Sequence, residues 1–184
     1  VTATSDGGSD GIARPEPGTY SSIQIACTTI FQPGIYLIDD IDFGQNLTVT
    51  GEGVLFVIRN AGGMHINSNS IVTLSGISKD MLMDTYGYSE AEASKLASMV
   101  IFDQDTTEQF KLNGNAEVFF KGIIYMPNRE IWFNGTAEAN GECMMIVANM
   151  VTFTGTVDLD NFCVPSDATL PNAGGSEDEV KLVA

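Results

Sequence analysis

The feature that most constrains this chain is a beat of 20 to 23 residues. F-K-L-N-G-N-A at 110–116, I-W-F-N-G-T-A at 131–137 and V-T-F-T-G-T-V at 151–157 superpose without gaps, and M-H-I-N-S-N-S at 64–70 is a weaker fourth copy. Gly114, Gly135 and Gly155 are 21 and 20 residues apart, and Ile101, Ile124 and Ile146 keep the same beat at 23 and 22. A unit of this length holds three short strands and three turns, which is one coil of a parallel β-helix. Each strand then pairs with its counterpart one coil on, about 4.8 Å away. The spacing predicts an all-β, right-handed parallel β-helix of roughly five or six coils, the hand following from the crossover rule. Alternation predicts which side chains face inward: Met64 and Ile66, Phe110 and Leu112, Ile131 and Phe133, Val151 and Phe153. His65, Lys111, Trp132 and Thr152 then face outward. Asn67, Asn113, Asn134 and Thr154 follow each inner pair, at a corner where Asn tolerates left-handed angles and stacked amides bond along the axis.

One stretch departs from this pattern. S-E-A-E-A-S-K-L-A-S at 89–98 contains good helix formers and opens with Ser89 and Glu92 at capping-box spacing. A short helix is expected from about Glu90 to Ser98, inside an excursion spanning 77–98. Its Ala93, Leu96 and Ala97 sit at helical spacing to cover the coil. The organisation expected is a flexible N-terminal linker at 1–18, a β-helix domain at 19–164 and a flexible tail at 165–184, both ends being rich in Gly, Ser and Asp. The chain opens on Val1, so any anchor or secretion signal is expected upstream.

Charge excludes partners better than it names them. Eight Lys and Arg against 24 Asp and Glu give a net charge of −16, which repels nucleic acid and anionic headgroups. No apolar run reaches the length of a membrane span. The beat also tests the cysteines: Cys143 lies eight residues after Gly135, and Cys163 eight after Gly155. Stacking in register would bring their Cα atoms within disulfide reach, with two free thiols as the other possibility. A disulfide would place the protein in an oxidising compartment. Cys27 has no phase partner.

F-Q-P-G-I-Y-L-I at 31–38, G-E-G-V-L-F-V-I at 51–58, M-V-I-F-D-Q-D at 99–105, G-I-I-Y-M-P-N at 122–128, C-M-M-I-V-A at 143–148 and F-T-G-T-V-D-L at 153–159 follow one another in a fixed order. In that order and spacing the chain resembles the C-terminal β-helical region of TadG-like proteins of tight-adherence (Tad/Flp) pilus systems. The resemblance implies an extracytoplasmic place on the cell surface, in the envelope or secreted, and a structural or adhesive role with a protein partner or a surface. It supplies no catalytic residues, and 77–98 departs from the pattern.

No catalytic string is recognisable around Arg14, Arg59, Arg129, Lys79, Lys95, Lys111, Lys121, Lys181 or His65, so no enzyme is expected. Asp40 with Asp42, Asp103 with Asp105, and Asp158 with Asp160 form alternate carboxylate pairs that suit calcium, or are simply solvated strand ends. Outward Trp132 could stack on a sugar, which keeps carbohydrate binding or polysaccharide degradation as an alternative. Thr48 with Thr50 and Thr152 with Thr154 raise ice binding as a second alternative, interrupted by Lys111 and Trp132. Tyr86 and Tyr88, on the excursion, are the remaining binding candidates, because loops extruded from a solenoid carry recognition while the coils carry shape.

Overall fold

The computed structural model describes residues 2–4, 8–59, 63–67, 69–103, 110–112, 117–134, 138–154 and 158–159. The chain winds into a solenoid of about five turns, with every named strand pair parallel. Three ladders run along it. On the first face lie β4 (Thr29–Phe31), the start of β7 (Thr48–Ile58), β9 (Ile71–Gly76), the starts of β12 (Glu117–Asn134) and β13 (Glu138–Thr154), and β14 (Asp158–Leu159). The second face holds β2 (Gly18–Tyr20), β5 (Gly34–Ile38), the end of β7, β10 (Met99–Asp103) and the middles of β12 and β13. The third holds β1 (Thr2–Thr4), β3 (Ser22–Ile25), β6 (Ile41–Phe43), β8 (Met64–Ile66), β11 (Phe110–Leu112) and the ends of β12 and β13.

The repeat dictates the register. Phe110 pairs with Ile131 and Ile131 with Val151, while Lys111, Trp132 and Thr152 form the adjacent outward row. Met64, Ile66, Phe110, Ile131 and Phe133 are buried in one continuous core with Ile23, Ile41, Phe56 and Ile124. Burying such rows supplies the main stabilisation of the fold, roughly 2 kcal/mol for each large apolar side chain. Phe31, Tyr36 and Phe56 fill the interior of neighbouring coils with ring centroids 5.0 to 5.3 Å apart, Phe31 edge to face with each of the others and Tyr36 tilted on Phe56.

The corners hold two differences from expectation. Among the described residues the left-handed asparagines are Asn46 and Asn69, both at φ 58°, rather than Asn67 or Asn134, and the Asn69 amide donates to Asn46 Oδ1 at 3.3 Å; Asn113 lies outside the described residues. Asn67 instead donates across coils to Asp42 Oδ1 and to Phe43 O. Strand pairing also reaches into the stretch expected as a linker. Thr2–Thr4 pairs with Ser22–Gln24, and Ala13, buried, donates its N–H to Thr28 O. The tail at 165–184 lies outside the described residues.

Among the described residues the interior contains one ion pair. Asp103 follows Ile38 and Ile58 in the inward phase of the second face, and an isolated carboxylate there would carry a large desolvation cost. Arg129, inward on the next coil, meets it at 2.6 Å, and the two side chains are each 1% exposed.

Candidate functional site

The excursion leaves the coil after Gly76 and returns at Met99, close to the limits expected. Its mouth is sealed by Ser98 N–H to Ile77 O and Ile77 N–H to Met99 O, both backbone bonds. Ser98, at φ 64°, takes the place of a corner residue, its carbonyl accepting from Ile123 N–H of the next coil. Gly76 and Gly122 flank it so closely that a Cβ at either would lie 2.2 Å from Ser98 O. Only glycine admits that approach.

Two helices occupy the excursion, where one was expected. α2 (Glu90–Leu96) carries the full capping box, with Ser89 Oγ accepting from Glu92 N–H and the Glu92 carboxylate accepting from Ser89 N–H. α1 (Lys79–Asp84) is capped by Ser78 and closes at Gly87, φ 71°, where Gly87 N–H to Met83 O and Tyr88 N–H to Leu82 O form a crossed pair. K-D-M-L-M-D after a serine was the readable signal for α1.

The underside of this pair covers the second face. Leu55, Met99 and Ile123 point outward from successive coils yet are buried, packed with Ile77, Leu82 and Ala93. Ala97 is buried too, and Leu96 packs against the cluster. Beside that row runs another, Leu37, Val57, Phe102, Tyr125 and Val147, half-buried and in register, with Phe102 and Tyr125 stacked 5.6 Å apart. The outer side of the helices is exposed and acidic, presenting Asp80, Asp84, Glu90 and Glu92, with Lys79 bonded to Glu90 at 3.0 Å.

The candidate residues fall in different places. Tyr86 fastens the excursion to the body: its Oη accepts from Ile35 N–H at 2.8 Å, two coils from where the excursion leaves, in a spot where a Cβ on Gly34 would collide with it. Tyr88, on the same turn, is 37% exposed, as Tyr86 is. Trp132 stands on the third face in register between Lys111 and Thr152, and its Nε1 is buried with no hydrogen-bond partner among the described residues. Thr48 and Thr50 belong to the first face and Thr152 and Thr154 to the third, so the two threonine pairs do not share a surface.

Of the carboxylate pairs, Asp103 is held by Arg129 inside the coil and is not open to a cation, because its inward phase commits it to the buried pair. Asp105 and Asp160 lie outside the described residues, and the Asp158 side chain is likewise not described. Asp42 accepts from Asn67, and Asp40 from Gly63 N–H at 3.4 Å. Among the described residues no three His, Cys, Asp or Glu side chains gather as a metal site. Cys27 is in no disulfide, Cys143 is half-buried on β13 in register with Lys121, and Cys163 lies outside the described residues. No helix among the described residues is long and apolar enough to cross a membrane. The chain matches no family model, no curated protein and no solved structure.

Proposed function

We propose that this solenoid is an extracytoplasmic structural and adhesive module of a pilus-associated, TadG-like envelope protein, without catalytic activity, that binds a partner protein or a surface through the outer side of its docked helices. The observation that carries the reading is the docking itself. A helix pair clamped to neighbouring coils by Tyr86 and by a buried apolar underside holds its exposed acidic side, with Tyr88, in a fixed orientation. A preorganised surface loses little conformational entropy on binding. The TadG-like order of segments supports the class and the compartment. A Cys143–Cys163 disulfide belongs to the same proposal, supported by their shared phase in adjacent coils and by Cys27 being in no disulfide.

The test uses substitutions that spare the underside. Tyr88→Ala with Asp84→Lys should leave thermal unfolding unchanged and abolish surface attachment in the organism of origin. Attachment equal to that of the unsubstituted protein would refute the role of this surface. Sugar binding on the third face would have to use the half-buried, outward ring of Trp132 as a stacking surface, since its Nε1 is buried and out of reach of a sugar hydroxyl. Quenching of Trp132 fluorescence by a glycan, absent in Trp132→Phe, is the outcome that reading requires.

A further inference from the structure

The sequence holds two Asn-x-Thr triplets whose middle residue is not proline, Asn46-Leu47-Thr48 and Asn134-Gly135-Thr136. Such a triplet is the acceptor pattern for an N-linked oligosaccharide, which is bulky and needs an asparagine at the surface of an exported chain. The fold treats the two differently. Asn134 is the last residue of β12, half-buried and paired in register with Thr154 of the next coil. Asn46 stands between β6 and β7, at the corner that joins the third face to the first, and is exposed together with Gln45 and Thr48. That corner lies opposite the second face, on which the helix pair is docked.

The corner is fixed on both sides of Asn46. Gly44 N–H donates to Ile25 O at 3.0 Å. One hydroxyl, Ser70 Oγ, donates to Gly44 O at 2.7 Å and accepts from Leu47 N–H at 3.3 Å. Between these anchors Asn46 takes φ 58°, a left-handed conformation that asparagine reaches more readily than most residues with a side chain. The amide is oriented as well. Its Oδ1 accepts from the Asn69 amide of the next coil at 3.3 Å, and its Nδ2, the atom that N-glycosylation substitutes, has no hydrogen-bond partner among the described residues.

We propose that Asn46 is the acceptor for an N-linked oligosaccharide when the chain is exported, and that Asn134 is not. Asn46 Nδ2 would attack the anomeric carbon of an oligosaccharide joined through pyrophosphate to a lipid carrier. A C–N bond replaces the C–O bond to the pyrophosphate, the lipid pyrophosphate departs, and the amide gives up one proton. Oδ1 is untouched by this exchange, so the bond from Asn69 survives it. Opposite the helix pair, the glycan leaves the proposed binding surface uncovered. In the native cell the modification rests on the extracytoplasmic reading, because the transfer takes place on exported chains.

The experiment expresses the full chain behind a cleavable secretion signal in a eukaryotic host, which presents it to an oligosaccharide transferase whatever its native compartment. The secreted chain should carry one oligosaccharide, seen as a single upward step in electrophoresis that an endoglycosidase reverses, and peptide mass spectrometry should place it on Asn46 with Asn134 bare. Asn46→Gly supplies a residue that tolerates the left-handed corner and should remove the step. Thr48→Ala should remove it too, while leaving the corner asparagine in place. No step on the secreted chain, a step that survives these substitutions, or occupancy of Asn134 equal to that of Asn46 would overturn the proposal. Should Asn46→Gly fail to fold, Thr48→Ala decides, since Thr48 is exposed. In the organism of origin the two readings separate. Protein recovered outside the cytoplasm should carry sugar on Asn46, and recovered there bare it overturns the acceptor role. Protein confined to the cytoplasm overturns the compartment instead, and the secreted chain still decides the site.

Discussion

The second and first faces of the solenoid are built from parallel strand ladders of the same kind and dressed in opposite ways. On the second face the outward residues Leu55, Met99 and Ile123 are as buried as core residues, because the helix pair lies on them. On the first face the outward residues Thr48, Ile71 and Thr73 are exposed, and Thr50 is half-buried. The difference teaches that strand alternation reports only the inner surface of a coil. What the outer surface carries depends on what is laid over it, and here an apolar outer row and an inserted helix pair explain one another.

The largest effect should come from placing a charge on each face. Leu55→Asp puts a carboxylate under the helices with no partner and should destabilise by about 5 kcal/mol, whereas Thr73→Asp on the bare face should stay within about 0.5 kcal/mol, both read from urea unfolding. Similar losses at the two positions would dissolve the distinction. Next comes the interior, where charge is tolerated only as a pair. Arg129→Met strands Asp103 and should lose about 3 to 5 kcal/mol, and adding Asp103→Leu should recover most of that. A double variant as unstable as the single one would mean the pair is required for more than mutual neutralisation.

Much of this was legible beforehand. The inward rows through Met64, Phe110 and Ile131, the limits of the excursion and the capping box at Ser89 all follow from local pattern, either the coil beat or helix spacing. The left-handed corner asparagines were misplaced by two residues, at Asn67 rather than Asn69, because composition marks a corner but not which residue turns it. α1 escaped notice because six residues hold under two helical turns, too few for periodicity to show. The Arg129 partner of Asp103 could not be read from spacing, since the two are joined only by the stacking of coils. Trp132, Tyr86 and Tyr88 were named as candidates by type, and only the fold shows that Tyr86 is the tether.

A smaller effect should sharpen the account of how the helix pair is fastened. Tyr86→Phe removes the acceptor for Ile35 N–H and should lose about 1 kcal/mol, with faster exchange confined to the excursion and the Gly34 corner. Exchange rising evenly through all coils would contradict a local tether. The smallest is a pH effect within the excursion. Hydrogen bonds from the Ser89 side chain and then from its backbone N–H hold the Glu92 carboxyl below its ordinary pKa of 4.5. A depressed folded-state pKa contributes stability above the unfolded value and loses it as pH falls through the folded one. Amide exchange in α2 should therefore be steady at neutral pH, after correction for intrinsic rates, and accelerate below 4.5. In Ser89→Ala the cap is gone, about 1 kcal/mol of helix stability is lost, and that acid-side acceleration should shrink.

The most direct test of the covered face replaces residues 78–97 by Asn-Gly, joining Ile77 to Ser98, whose backbones already meet at the mouth. The account predicts that the variant keeps the β-sheet signal in circular dichroism while its second face, bared at Leu55, Met99 and Ile123, binds anilinonaphthalene sulfonate strongly and drives self-association. A variant that stays monomeric, binds no more dye than the full chain and unfolds at the same urea concentration would contradict it.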